Sequence, residues 1–174
     1  MVIEGENAGG ENIENEKNDL YFMQRAFELA QQAEQLNEIP VGAVVVYQGK
    51  IIGEGFNQSI LLNDPSAHAE MIAIRQAGKH INNYRLLDCT LYVTLEPCPM
   101  CAGLLVHSRI KRLVFASPDL KTGAAGSALN LVDNEQFNHQ VSVVEGVMQE
   151  QCSQLLSGFF KRRRNEKKAA KKRQ

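Results

Sequence analysis

Residues 89–117 read CTLYVTLEPCPMCAGLLVHSRIKRLVFAS, and this stretch decides the fold. CTLYVTL (89–95) is a β-branched and aromatic run of strand length. After EPCP, Pro99 suits the first position of a helix, and the pattern predicts that helix over 99–108. RLVFAS (112–117) is a second strand. A helix between two strands makes a crossover, so the strands are expected to be parallel. Upstream, VGAVVVY (41–47) and KIIGEGFN (50–57), joined by YQGK, read as an antiparallel hairpin. Before them Leu20, Met23, Phe27, Ala30 and Ala33 recur at helical spacing. Asn18 or Asp19 is expected to cap that helix, and Pro40 to end the segment. The polar stretch 58–66 reads as a loop, followed by a helix over 67–77 with Gly78 as its terminator. Downstream, PDLKTGAAGS (118–127) is a loop and VSVVEG (141–146) a fifth strand. A last helix runs from about Met148 into the C-terminal end. The expected class is α/β: three layers, α/β/α, around a five-stranded mixed sheet, with the later strands parallel because helices separate them.

The 174 residues suit one domain. Net charge is −1, but it is unevenly placed. Residues 1–18 carry five Glu and one Lys and read as a disordered acidic extension. Residues 161–174, KRRRNEKKAAKKRQ, carry nine Lys/Arg and one Glu, a basic helix end or tail. The domain proper is expected over 19–160. A concentrated basic element points to a polyanionic partner, the plain alternative being a solvated tail. There is no apolar leader core and no apolar run long enough to span a membrane, so a cytoplasmic protein is expected. Reduced thiols follow from that compartment. Cys89 and Cys152 lie in apolar surroundings and read as small buried hydrophobes.

Two motifs carry the chemistry. DPSAHAEMIAIR (64–75) places His68 and Glu70 in the first turn of a helix, and PCPMC (97–101) places Cys98 and Cys101 at the start of another. In a helix body, residues two apart point to nearly opposite faces. At a helix end they can reach one point beyond it. A C-x-x-C alone reads as a redox dithiol, half of a zinc site, or coincidence. The redox reading leaves no role for His68 and Glu70, and a four-ligand structural site would need Cys89. His68, Cys98 and Cys101 together leave one position open, the pattern of a catalytic zinc. Two thiolates weaken zinc as a Lewis acid, so a nearby carboxylate, Glu70, is needed to handle protons. The plain alternative is His68 as a cap and Glu70 as a favourable first-turn acid.

H-x-E followed by P-C-x-x-C resembles the signature of the zinc-dependent nucleoside and base deaminases. Further stretches are similar to the bacterial tRNA-specific adenosine deaminases: EIPVGAVVV, GEGFNQSI, TLEPCPMCAGLLVHSRI, DLKTGAAGSALNL and LLSGFFKRRRNEKKAAKK. The resemblance covers nearly the whole chain from Leu20 onward. It implies a cytidine deaminase-like fold and one zinc ion per subunit, held by His68, Cys98 and Cys101, with no organic cofactor. It implies that adenosine at the wobble position (34) of a tRNA anticodon becomes inosine. Zinc-activated hydroxide would attack adenine C6, with Glu70 as proton shuttle. Asn57 would hydrogen-bond the purine, and Ala69 and Leu95 would line the pocket. Asp119 and Lys121 would contact the anticodon loop, and Phe159, Phe160, Arg162, Arg163 and Arg164 would lie along the RNA. The partner implied is a tRNA anticodon stem-loop, bound by a homodimer with no membrane contact. The plain alternatives are that Asn57 ends the hairpin and that KTGAAGS is an ordinary glycine turn. Two rivals remain: a deaminase of cytidine, guanine or cytosine in DNA, and a zinc-stabilised RNA-binding protein without catalysis. The GAAGS loop and the basic C-terminal helix argue against a free small substrate.

Overall fold

The computed structural model describes residues 8–173. β1 (Gly42–Tyr47) and β2 (Lys50–Phe56) form the expected antiparallel hairpin. β1 also pairs antiparallel with β3 (Thr90–Leu95), which pairs parallel with β4 (Arg112–Ser117), and β4 with β5 (Ser142–Glu145). The sheet order is β2-β1-β3-β4-β5. Successive side chains of a strand face opposite sides, so each strand feeds two cores. Val44, Val46, Tyr92, Val114 and Ala116 face α1 (Ala8–Gln35) and the start of α5 (Gln149–Lys172). Ala43, Val45, Leu91, Val93, Leu113 and Phe115 face α3 (Ala69–Ile81) and α4 (Pro99–His107). This is the expected three-layer α/β/α arrangement.

Five local expectations are corrected. α1 begins at Ala8, so residues 8–18 of the expected disordered extension are helical, while residues 1–7 lie outside the described residues. Asp19 is not a cap. Its carboxylate, buried inside α1, takes two hydrogen bonds from the Arg112 guanidinium (2.7 and 2.6 Å) and one from the Tyr92 hydroxyl (2.8 Å). Those partners lie far along the chain, and a docked helix extends outward at one hydrogen bond per residue added. α3 runs one turn past Gly78. Asn82 takes the left-handed conformation (φ 58°) instead, and Ile81 packs against the core. The region 58–66 holds a one-turn helix, α2 (Ser59–Leu62), tied down by the Leu61 N–H, which donates to the buried Glu38 carboxylate (2.6 Å). Finally, β4 and β5 are parallel although no helix separates them. Residues 118–141 cross over as a long loop held by its own hydrogen bonds.

The hairpin is built to receive α3. A Cβ on Gly55 would overlap the carbonyl oxygen of Ala69, and one on Gly53 that of Ala73. Without those side chains the backbone of α3 lies directly on β2. Ala69 sits between His68 and Glu70, so this close approach sets where both functional side chains begin. The Gln76 side chain adds a link, accepting from the Glu54 N–H (2.6 Å).

Candidate active site

His68 is the N-cap residue of α3 and Cys98 that of α4, both in extended backbone conformation and neither capping through its side chain. The plain reading of His68 as a capping side chain is thereby excluded. Instead its Nδ1 lies 3.6 Å from both Cys98 Sγ and Cys101 Sγ. Pro99 at the first position of α4 starts the helix so that Cys98 and Cys101 converge. Among the described residues this is the one cluster of His, Cys, Asp and Glu ligand atoms that could hold a metal ion, all within 4.8 Å of one another. Tetrahedral zinc with ordinary Zn–N and Zn–S bonds separates its N and S ligands by about 3.6 Å. The donor set and its spacing therefore fit zinc. Cys89 and Cys152 are buried elsewhere, Cys152 in the core between α1, α5 and the sheet, so no four-thiolate site forms.

The protons of this cluster are strongly displaced. The Cys98 thiol is pushed down to about 4, first by the hydrogen bond from Cys101 and then by that from His68. Cys101 is pushed up, by its hydrogen bond to Cys98 and by burial. The His68 imidazole is held above its usual value by its hydrogen bond to Cys98. Without a cation, one thiol ionises and its neighbours keep protons beside it. A divalent cation would take the place of those protons. Glu70, only 4% exposed, is pushed up to about 7, chiefly by burial.

These groups form the floor of a cavity of ≈ 710 Å³, a volume usual for a small-molecule or nucleobase site. His68, Glu70, Cys98, Asn57 and Leu95 line it, with Asp119, Lys121, Leu156, Phe160 and Arg164 toward the rim. The cavity opens at the carboxyl ends of β3 and β4, where open α/β sheets collect their sites. Asn57 Oδ1 accepts the Ala69 N–H (2.9 Å). That bond fixes the amide orientation and leaves its NH₂ as a donor for the cavity. Ala69 itself is fully buried and acts through this bond.

The other expected contact residues divide. Asp119 is engaged by its own loop, accepting from the Lys121 N–H, the Thr122 N–H and the Thr122 hydroxyl (3.0, 3.1 and 2.6 Å). Lys121 is exposed at the rim. Phe159 is corrected: it is 3% exposed and turned into the protein, and Phe160, 40% exposed, lines the cavity instead. Arg162 stacks over Phe159 and holds α5 to Glu34 of α1 (3.9 Å) and to Asn37 just after it (3.1 Å). Arg163 pairs with Glu166 along α5 (3.2 Å). Of the three arginines, Arg164 is the one that lines the cavity. The sequence places both phenylalanines along the RNA and does not separate the buried one from the exposed one. The spacing of Cys152 and Phe159, seven residues apart on the buried face, was the available signal.

Fold and floor together define a zinc-dependent deaminase: an H-x-E helix and a P-C-x-x-C helix meeting end to end at the edge of a five-stranded sheet. The cytidine and deoxycytidylate deaminase zinc-binding region matches residues 16–117. A tRNA-specific adenosine deaminase of Haemophilus influenzae is 58% identical over 154 residues, 88% of this chain and 89% of that protein. The chain belongs to this zinc-binding deaminase family, within it to the tRNA-specific adenosine deaminases. A solved structure from studies of A-to-I editing by tRNA:A34 deaminases at the wobble position covers 78% of this chain and 99% of its own, with 37% identity and a TM-score of 0.76. A guanine deaminase from Bacillus subtilis covers 62% of this chain and 69% of its own, with 43% identity and a TM-score of 0.56. Among the described residues no helix is long and apolar enough to cross a membrane.

Proposed function

We propose that the protein hydrolyses adenosine to inosine and ammonia at the wobble position (34) of tRNA anticodons. The observation that carries this reading is one cavity with two kinds of wall. Its floor has the metal cluster, Glu70 and the Asn57 amide, and its rim has Phe160 and Arg164 where the basic half of α5 begins. A floor alone would suit any small base. The aromatic and cationic rim suits a base still attached to a nucleic acid chain.

His68, Cys98 and Cys101 would hold the zinc. When bound, zinc supplies the Lewis acidity that makes water nucleophilic near neutral pH. Glu70, buried beside the cluster, takes a proton from the attacking water and delivers one to ring N1 of adenine. It then takes the remaining proton of the new C6 hydroxyl and passes it to the departing amine, so ammonia leaves and the C6 carbonyl of inosine remains. The Asn57 NH₂ donates to an acceptor on the purine, while Leu95 supplies an apolar wall. Lys121, Arg163 and Arg164 supply positive charge for the anticodon phosphates, and the Asp119 loop borders the ribose. The protein acts in the cytoplasm as a homodimer. The exposed groove where Tyr84 and Leu104 meet between α3 and α4 is apolar surface that a second copy would cover, and the particle mass in solution tests this.

Offering adenosine, guanine, cytidine and an anticodon stem-loop bearing A34, and measuring ammonia, tests the substrate. Release from the stem-loop is expected. Turnover of guanine or a free nucleoside with none on the RNA would overturn the reading. The two phenylalanines separate binding from folding. Phe160→Ala should weaken stem-loop affinity by about 1–3 kcal/mol, the usual cost of a lost base stack. Phe159→Ala should instead destabilise the fold by about 3–5 kcal/mol, as a large core side chain does. Direct binding and chemical denaturation of both variants check this, and equal effects on both readouts would refute it.

A further inference from the structure

Glu96 lies between the last residues of β3 and Pro97-Cys98, and it is only 2% exposed. Its carboxylate does not reach for the metal cluster. Oε1 accepts the N–H groups of Ala125 and Ser127, each at 3.0 Å. Oε2 accepts the Asp119 N–H (2.9 Å) and the Ser127 hydroxyl. All four donors belong to the long loop after β4, and they come from both its start and its turn. The neighbouring backbone adds to the same join: Glu96 N–H donates to Ser117 (2.8 Å), and Ala124 N–H donates to Pro97 (2.8 Å). Gly123 lets the loop close over the carboxylate, since a Cβ there would overlap both the Glu96 carboxyl group and the Asp119 carbonyl. A buried carboxylate with four donors around it is costly to replace, because each donor would be left without a partner.

We propose that Glu96 is a positioning residue for RNA recognition. It acts through the 118–128 loop, fixing the backbone that carries Asp119 and Lys121 along the cavity rim. The same short segment thus holds a metal ligand, Cys98, and sets the substrate loop at a fixed distance from it. This inference rests on the function proposed above and adds to it the device that ties recognition to the reaction centre.

Glu96→Gln is the direct test, because an amide turns one acceptor into a donor facing donors. The zinc-loaded variant should keep one zinc per chain and show a KM for the A34 stem-loop raised about tenfold, as loss of a buried charge-assisted hydrogen bond predicts. Its kcat should stay within about threefold, the pattern of lost uniform binding. Amide exchange should accelerate at Asp119, Ala125 and Ser127 and stay unchanged in α3. Ser127→Ala, which removes a single donor, should move KM and exchange in the same direction by less, and it carries the test if the Gln variant fails to fold. An unchanged KM with unchanged loop exchange, or a lower Tm with KM unmoved, would overturn the positioning role. A wild-type protein inactive on the stem-loop would count against the proposed substrate, while the exchange measurement would still decide whether Glu96 holds the loop.

Discussion

Glu70→Ala removes turnover on the A34 stem-loop while zinc content and RNA binding stay at wild-type levels. A positioned proton-transfer group is worth roughly 10²–10⁴-fold, and single-turnover rates should fall by at least that much. The prediction separates two readings of the same cluster. If the metal only stabilised an RNA-binding protein, Glu70 would be an ordinary buried acid, and its loss would leave function intact. Burial makes that second reading costly. A carboxyl at 4% exposure, pushed up to about 7, is an expensive group to keep in a core that needs no proton handled. Glu70→Gln keeps the shape without the proton acceptor. Retention of more than about a tenth of the wild-type rate in that variant would be incompatible with the 10²-fold minimum.

Metal removal has the second large effect. Dialysis against a strong chelator should strip the zinc and bring deamination to background, and added zinc should restore it. The fold should loosen at the same place. His68 and Cys98 stand at the N-termini of two different helices, α3 and α4, so an ion held by both would join elements that otherwise meet chiefly through the sheet. A ligand present at about 1,000 times its Kd adds about 4 kcal/mol to stability, which scanning calorimetry with and without zinc would register as a shift of several degrees. Cys101→Ser should lower zinc occupancy below about half per chain, since hydroxyl oxygen is a poorer partner than thiolate for this ion. Full zinc occupancy in that variant would show that the three residues do not form the shell.

Much of this architecture is legible in the sequence because it rests on local signals. β-branched runs mark the strands, and Pro99 marks the start of α4. The metal shell is legible because its chemistry demands particular residue types at short spacing within two motifs. What escapes is held by distant partners. Nothing near Asp19 foretells that Arg112 and Tyr92 will claim it and turn an expected cap into a buried pin. Nothing local marks the Glu38 and Glu96 carboxylates as buried, yet each is taken by backbone N–H groups that reach it from elsewhere in the chain. The choice between Phe159 and Phe160 depends on how α5 rolls against α1, which Arg162 and Asn37 settle 125 residues apart. The parallel pairing of β4 with β5 is as expected, but its expected cause is not, because the long crossover between them has no helix and no periodicity.

α5 continues as a helix to Lys172, and every described residue from Arg164 onward is exposed. At 1.5 Å per residue, the exposed part from Arg164 to Lys172 projects about 14 Å. That is roughly twice the distance over which physiological salt damps a charge. The arm's cations therefore meet an approaching polyanion outside the screened zone of the domain, whose remaining surface is acidic on balance. On the proposed substrate its main effect would fall on the timing of encounter, and its stiffness would keep a captured strand on the side where the cavity opens. Shortening the arm would then slow arrival of the anticodon far more than it would hasten its departure.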